Sequence, residues 1–295
     1  MTGAGIDGRR GLRRATGPRA RSTVAFPCDT HVHTRRCGHA GGMDEELVEA
    51  AIARGLGAIA LTDHAPFYWL PPEQRDPTLA MSFEDLPRYV EDVLVMAARY
   101  RGRIEVLLGV EADYIAGREE ALVRLLEVYP FDVVLGSVHF VDGWLVDAPS
   151  SLARLDQGQA EVDRVWGRYT ELLIAAAGSG LFDVLAHLDL PKKFGHRPSV
   201  PFAGRQSEVV AAVAASRCAV ELSSAGRRRP VGEDYPAPDV LRELASVGVP
   251  FVLSSDAHVP TEVGFGFAEL AANARAVGVD EVLVFGRRRG KPVSL

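Results

Sequence analysis

The 295-residue chain is 47% apolar and 24% charged, proportions of an ordinary globular protein that exclude a disordered chain or a coiled coil. Its formal net charge of -6 argues against a protein devoted to sequence-independent binding of nucleic-acid backbone, while leaving room for a local basic cluster that takes a small anion. No apolar run approaches the roughly 20 residues that span a bilayer, so no membrane partner is expected. Three cysteines without a CxxC pair read as reduced thiols of a cytoplasmic protein.

Residues 1–23 carry Arg9, Arg10, Arg13, Arg14, Arg19 and Arg21 among glycines, with Asp7 as the one acid and no apolar segment of a secretory signal. The pattern fits a disordered extension, and more loosely an organelle transit peptide. The fold is expected over residues 24–295 as a single domain.

The first strand ends in DTHVH (29–33), and a helix is predicted near 44–54, with Asp44 before EELVEAAIARG as its cap and Gly55 as its stop. AIALTDH (58–64) is the second strand, followed by the long polar insertion FYWLPPEQRDPTLA (67–80), a candidate lid or binding loop. Ser82 and Asp85 open a helix near 84–101. The strand VLLGVEADY (106–114), a helix near 117–129, the strand DVVLGSVHF (132–140) and a helix near 154–178 come next. DVLAHLDL (183–190), AVELSS (219–224) and FVLSSDAH (251–258) complete the strands, alternating with helices near 205–217, 238–247 and 265–276. The tail VLVFGRRRGKPVSL is either an eighth short strand or a surface hairpin. Near-continuous apolar strands alternating with helices predict a parallel sheet buried on both faces, closed as an α/β barrel.

On that scaffold His31, His33, His64, Glu111, His139, His187, Asp256 and His258 all fall at or just beyond the carboxyl end of a predicted strand, with His39 in the first loop. That rim is where barrels of this kind build their active sites. Side chains at i and i+2 of a strand share a face, so His31 with His33, and Asp256 with His258, each present two groups from one strand end. A lone strand-end histidine is ordinarily a hydrogen-bonded structural residue. This many imidazoles converging with Glu111 and Asp256 are instead the donor set of a Zn, Mn or Fe site.

Other chemistries fare worse. Ser254, Ser255, Asp256 and His258 sit too close in sequence to form a triad, whose members come from separate elements, and no GxSxG, P-loop or GxGxxG is present. Cys37 reads as an unpaired buried cysteine, with a thiolate ligand as the alternative. Asp29, Asp63, Asp113 and Asp189 read either as partners that orient the imidazoles or as solvated loop acids.

HxH followed by CxHA, then TDH, GVEADY, GSVHF, DVLAHLDL and SSDAH in this order, resembles the polymerase and histidinol phosphatase (PHP) superfamily over residues 28 to about 268. GSVHFVDGW, AHLDLPKKFG and ELSSAGRRRPVGEDYPAP resemble its histidinol-phosphatase branch. The resemblance implies a distorted (β/α)7 barrel, TIM-barrel-like, holding three divalent metal ions. The first would be held by His31, His33, Glu111 and Asp256. The second would share Glu111 with His139 and His187, and the third would take His39, His64 and His258. Glu111, Asp256 and His258 are the catalytic candidates, and for the phosphate that the resemblance implies Arg228 is the first choice of clamp, since a guanidinium matches phosphate with forked hydrogen bonds, with Lys193 and Arg229 next. The implied reaction is hydrolysis of L-histidinol phosphate to L-histidinol and phosphate in histidine biosynthesis. The alternatives are a phosphoesterase for another small phosphate or nucleotide, and a non-catalytic metal-stabilised module. The chain departs from the branch in ELSS, where Ser223 stands in for an expected asparagine and lacks the two-ended hydrogen bonding of an amide.

Overall fold

The computed structural model describes Met1 and residues 25–295, so the expected extension over residues 1–23 lies, but for Met1, outside the described residues. The strands are β1 (Phe26–Val32), β2 (Leu56–Leu61), β3 (Glu105–Asp113), β4 (Val133–Ser137), β5 (Phe140–Val141), β6 (Trp144–Leu145), β7 (Val184–Leu185), β8 (Ala219–Ser223), β9 (Phe251–Ser254), β10 (Glu281–Gly286) and β11 (Arg289–Ser294). The helices are α1 (Asp44–Ala53), α2 (Leu86–Arg99), α3 (Glu119–Leu126), α4 (Leu152–Leu155), α5 (Gln159–Gly178), α6 (Gln206–Ala215), α7 (Pro238–Ser246) and α8 (Phe267–Ala276).

Seven parallel strands lie in the order β1-β2-β3-β4-β7-β8-β9. At the rim the ends are joined by a parallel bridge between Val32 and Ala257, where His33 N donates to Ala257 O at 2.8 Å. The result is the nearly closed, distorted (β/α)7 barrel that the alternation of elements anticipates. The tail is a surface hairpin: β10 and β11 pair antiparallel with each other, outside the barrel sheet.

Local chemistry moves two predicted helix boundaries. Asp44 is the first helical residue of α1 rather than its cap, because its carboxylate is taken by Arg36 at 2.6 Å, and Glu46 reaches back to the Met43 N–H at 2.7 Å. The helix expected over 154–178 is interrupted at Gly158, whose φ of 125° no helix tolerates. Ser82 caps the turn that precedes α2, its hydroxyl accepting from Asp85 N at 3.0 Å, while the helix itself begins at Leu86 with Asp85 at its cap position.

Cys28, Ala58, Ala60, Leu107, Val133, Leu135, Val184, Ala186, Ala219 and Val252, one or two from each barrel strand, form an apolar cluster separate from the larger shell between sheet and helices. This is the barrel interior, and Phe285 of β10 packs into it. Because strand side chains alternate, the inward positions continue upward from Leu107 to Glu111, from Val133 and Leu135 to Ser137 and His139, from Ala219 to Glu221, and from Val252 to Ser254 and Asp256. The barrel thus passes from an apolar floor to a polar mouth along its own strands. On β1 the parity changes, since Cys28 is inward at an even position and His31 and His33 at odd ones. A register shift between Asp29 and Val32 against β2 supplies the change.

Gly136 on β4 shows how closely the outer shell approaches: a Cβ there would lie 2.2 Å from the Phe182 ring. Gly136→Ala is expected to destabilise the fold by about 1–3 kcal/mol through overpacking, seen as a lower urea midpoint with an unchanged denaturant slope. An unchanged midpoint would show that Phe182 yields at no cost.

Candidate metal centre

The donors expected from the strand ends converge on one cavity of about 320 Å3, lined among others by His39, His64, Glu111, His139, His187, Asp256 and His258. His31 and His33 lie beneath it, fully buried. His187 and Asp256 hold left-handed backbone, with φ of 26° and 48°. Non-glycine residues there are strained and persist where surrounding structure enforces them. Each turns the chain just past a strand end, at β7 and β9.

Glu111 sits at the centre, 1% exposed. Its Oε2 lies 3.1 Å from His31 Nε2, 3.4 Å from His33 Nε2 and 3.0 Å from His64 Nδ1. Its Oε1 lies 3.6 Å from His139 Nε2 and 3.1 Å from His187 Nε2. One carboxylate therefore faces two sets of imidazoles, one on each oxygen. Asp256 Oδ1 adds a second acid, 3.2 Å from His33 Nε2.

For four of the imidazoles an outer ring of acceptors fixes which nitrogen faces inward. His31 Nδ1 meets Glu221 at 2.6 Å and His139 Nδ1 meets Asp113 at 2.9 Å. His39 Nδ1 meets the carbonyls of Cys37 and Thr78 at 3.0 and 3.1 Å, and His258 Nδ1 meets the carbonyl of Asp256 at 3.1 Å. A carbonyl only accepts, so these Nδ1 atoms donate and the neutral rings aim Nε2 lone pairs at the cavity.

Burial and the neighbouring His258 push His33 down to about 3, and burial holds His64 well below the ordinary imidazole value. For His31 burial opposes the charge, but Glu111, Glu221 and Asp256 outweigh it and raise the ring well above that value. Burial likewise opposes charge on His139, and Asp113 with Glu111 raises it to about 10. Glu111 is held well below the usual carboxylate range by His31, His64 and His139 despite burial.

The residues fit divalent ions. Buried Glu111 Oε2 has no hydrogen-bond partner although three imidazole nitrogens lie within 3.4 Å of it, a costly arrangement unless a cation completes it. Donor atoms of His31, His33 and Asp256 lie within 4.8 Å of one another, as do those of His64, Glu111 and His139, and those of His33, His64 and His258. The first group repeats three of the four ligands expected for the first ion. In the others His64 stands between groups, near Glu111 as well as near His258.

The neighbouring acids are buried, not solvated. Asp113 orients His139, whereas Asp29 accepts from Ser255 N and Gly264 N at 2.9 and 2.8 Å and Asp63 from Thr34 N at 2.6 Å, fixing the loops that carry ligands. Asp189 accepts from Ala237 N at 2.8 Å and pairs with Lys192. Cys37 is fully buried, and burial first, then Asp63, pushes its thiol up to about 12. Its sulfur and donor atoms of His39 and His258 also lie within 4.8 Å of one another.

Lys193 and Arg229 line the cavity, but Arg228 does not. Its Nη2 donates to the carbonyls of Ser255 and Asp256 at 2.8 and 3.1 Å, and its Nε lies 3.2 Å from Glu262. Arg228 thus holds the loop that presents Asp256 instead of reaching the cavity. Ser223 is also withdrawn, pairing through its backbone with Tyr235 while its hydroxyl accepts from Ala225 N at 3.3 Å. His196, outside the donor set, pairs with Asp156 at 2.8 Å.

Sequence reading missed Glu221, which supports His31 and accepts the His187 N–H at 2.6 Å. Its signal was an acid in the otherwise apolar strand AVELSS. Asp147 and Tyr235 also line the cavity and carried no comparable signal, since neither lies at the end of a barrel strand.

A nearly closed parallel barrel with imidazole and carboxylate donors gathered at its carboxyl rim is the framework of a metal-binding (β/α) enzyme. Residues 29–225 match the PHP domain, and the chain belongs to that family. A "probable histidinol-phosphatase" of Deinococcus radiodurans is 40% identical over 266 residues, covering 90% of this chain and 98% of the relative. The histidinol-phosphatase of Bacillus subtilis is 28% identical, over 81% of this chain and 96% of its own length. The crystal structure of a histidinol phosphate phosphatase from Lactococcus lactis, complexed with zinc, L-histidinol and phosphate, superposes with a TM-score of 0.76. It is 20% identical, covers 90% of this chain and 100% of that one, and supports the fold.

Glu221→Gln is expected to weaken zinc binding about 10–100-fold, the usual effect of removing the partner that orients a ligand imidazole. Titration against a chromophoric chelator checks this, and an unchanged affinity would show that His31 needs no such support.

Proposed function

We propose that this chain is a metal-dependent phosphomonoesterase that hydrolyses L-histidinol phosphate to L-histidinol and inorganic phosphate, serving histidine biosynthesis in the cytoplasm. Residues 24–295 form its catalytic domain. The observation that carries the reading is the convergence of seven histidines, Glu111 and Asp256 around one cavity, in a chain 40% identical to a histidinol-phosphatase relative along nearly all of that relative's length. The three free cysteines are buried, in keeping with a reducing compartment. Among the described residues no helix is long and apolar enough to cross a membrane.

The proposed partition assigns one ion to His31, His33, Glu111 and Asp256, a second to Glu111, His139 and His187, and a third to His39, His64 and His258. Zinc accompanies the Lactococcus relative, and this donor set also accepts manganese or iron. Divalent ions in such a site supply Lewis acidity, acidifying water and drawing charge from phosphoryl oxygens.

The chain's own groups make that chemistry usable at neutral pH. His33 and His64 remain uncharged, so their lone pairs are available without competition from protons. Glu111, ionised throughout, offers one oxygen to each set of imidazoles. Asp256 brings its carboxylate to His33, and His258 presents Nε2 beside it. Lys193 and Arg229 supply the cationic lining that receives phosphoryl oxygens, with the planar fork of Arg229 suited to two of them.

In a phosphate-release assay across L-histidinol phosphate, sugar phosphates and nucleoside monophosphates, kcat/KM for histidinol phosphate should exceed the others by about 100-fold. Near-equal rates would replace the specific assignment with a general phosphoesterase, and bound metal without hydrolysis would favour a structural module. Glu111→Ala should abolish turnover and release at least one equivalent of metal, measured by elemental analysis. A variant with full metal content and normal rate would refute the bridging role.

A further inference from the structure

A second cavity of about 200 Å3 adjoins the first, sharing His39, His64, His139, Asp147 and Lys193 with it. Its outer walls are of a different character. Phe67 and Leu79 come from the 67–80 insertion, and Phe140 and Leu145 from the β5–β6 hairpin. The Phe67 and Phe140 rings meet edge to face at 5.6 Å, and Trp69 packs on both, at 4.9 and 5.1 Å. The catalytic cavity is crowded with imidazoles and charges, whereas this annex offers aromatic edges and faces to something flat and apolar.

The junction carries two opposite charges. Lys193 Nζ donates to Asp147 Oδ2 at 2.8 Å, and among the described residues Asp147 has no other hydrogen-bond partner. The annex's other acid, Asp113, is already committed to His139 through both Nδ1 and the backbone N–H. A carboxylate beside a phosphate site repels a substrate whose only charge is negative. The same carboxylate favours a phosphate ester that also carries an ammonium, because the two charges of such an ester can replace the Lys193–Asp147 ion pair, phosphate on the lysine and ammonium on the carboxylate.

We propose that Asp147 and the aromatic annex around Phe140 form the leaving-group subsite, selecting a phosphate ester whose alcohol bears both an ammonium group and a flat ring. The proposal rests on the hydrolase reading given above and names the residues behind its selectivity.

The test uses the full-length zinc-loaded protein and three phosphates: L-histidinol phosphate, p-nitrophenyl phosphate, which has a ring without an ammonium, and phosphoethanolamine, which has an ammonium without a ring. Asp147→Asn should lower the kcat/KM ratio of histidinol phosphate to p-nitrophenyl phosphate about tenfold or more, chiefly through KM. Phe140→Ala should lower the ratio of histidinol phosphate to phosphoethanolamine by a similar factor, with Phe140→Leu as the variant that keeps apolar volume and loses the ring. Calorimetric titration of L-histidinol should show weaker binding to the same variants. Ratios within about twofold of wild type, or equal losses on all three substrates, would overturn the subsite while a wild-type preference for histidinol phosphate leaves the hydrolase reading standing. If the wild type itself lacks that preference, the reading and the subsite fall together.

Discussion

The rest of the site depends on one buried carboxylate. Glu111 is withdrawn from water on the longest barrel strand, with five imidazoles between 3.0 and 3.6 Å from its oxygens. Burying an anion is costly unless charge or hydrogen bonds repay the lost hydration. Protons alone do so unevenly: His31 and His139 are driven up while His33 and His64 are driven down. Divalent ions held by Glu111 and the imidazoles around it would supply the missing positive charge without protonating the rings. The outer ring of Glu221, Asp113 and backbone carbonyls keeps those rings facing inward, so the site is organised around charge it expects to receive.

The barrel makes this arrangement possible by separating its requirements along the strand axis. Apolar side chains and Phe285 fill the floor, Ser254 donates to Glu221 and Ser137 to Glu111 in a middle layer, and the candidate ligands occupy the mouth. Parallel strands buried on both faces leave charge to their carboxyl ends, except where a buried acid such as Glu221 is fully partnered. Three distortions adjust the aim: the register shift on β1 and the left-handed residues His187 and Asp256. All three lie at ligand positions, which is where strained backbone has a use.

This division explains what was legible in the sequence. Strand ends, helix periods and i, i+2 histidine pairs are local patterns, and they located the barrel and its rim. Glu221 was passed over because an acid in an apolar strand signals a buried partner without identifying it, and that partner, His31, lies 190 residues away. Arg228 and Arg229 are neighbours of one type, and only the turn after β8 decides which faces the cavity. Arg228 was preferred on chemistry that both share, and its partners prove to be backbone carbonyls of the β9 loop. The break in the 154–178 helix was written in Gly158, but one glycine inside a helical period is weak punctuation.

The 67–80 insertion joins ligand geometry to the cavity wall. Thr78 O accepts from His39 Nδ1 at 3.1 Å, so this segment helps set which nitrogen His39 turns to the cavity. It lies against the first loop closely enough that a Cβ on Gly38, at φ 84°, would meet Pro77 O at 2.2 Å. The same segment brings Phe67 and Leu79 to the annex wall. Arg75, donating to the carbonyls of Phe67 and Leu70 at 3.1 and 2.9 Å, closes the segment on itself, so it packs as one piece. His39 therefore takes its orientation from the piece of chain that shapes the annex, and a change in that wall that displaced the segment would also reach a metal ligand. Phe140, on the β5–β6 hairpin, packs on Phe67 and Trp69 of this segment, so a replacement that keeps its apolar volume is physically cleaner than a truncation or a rebuilt insertion.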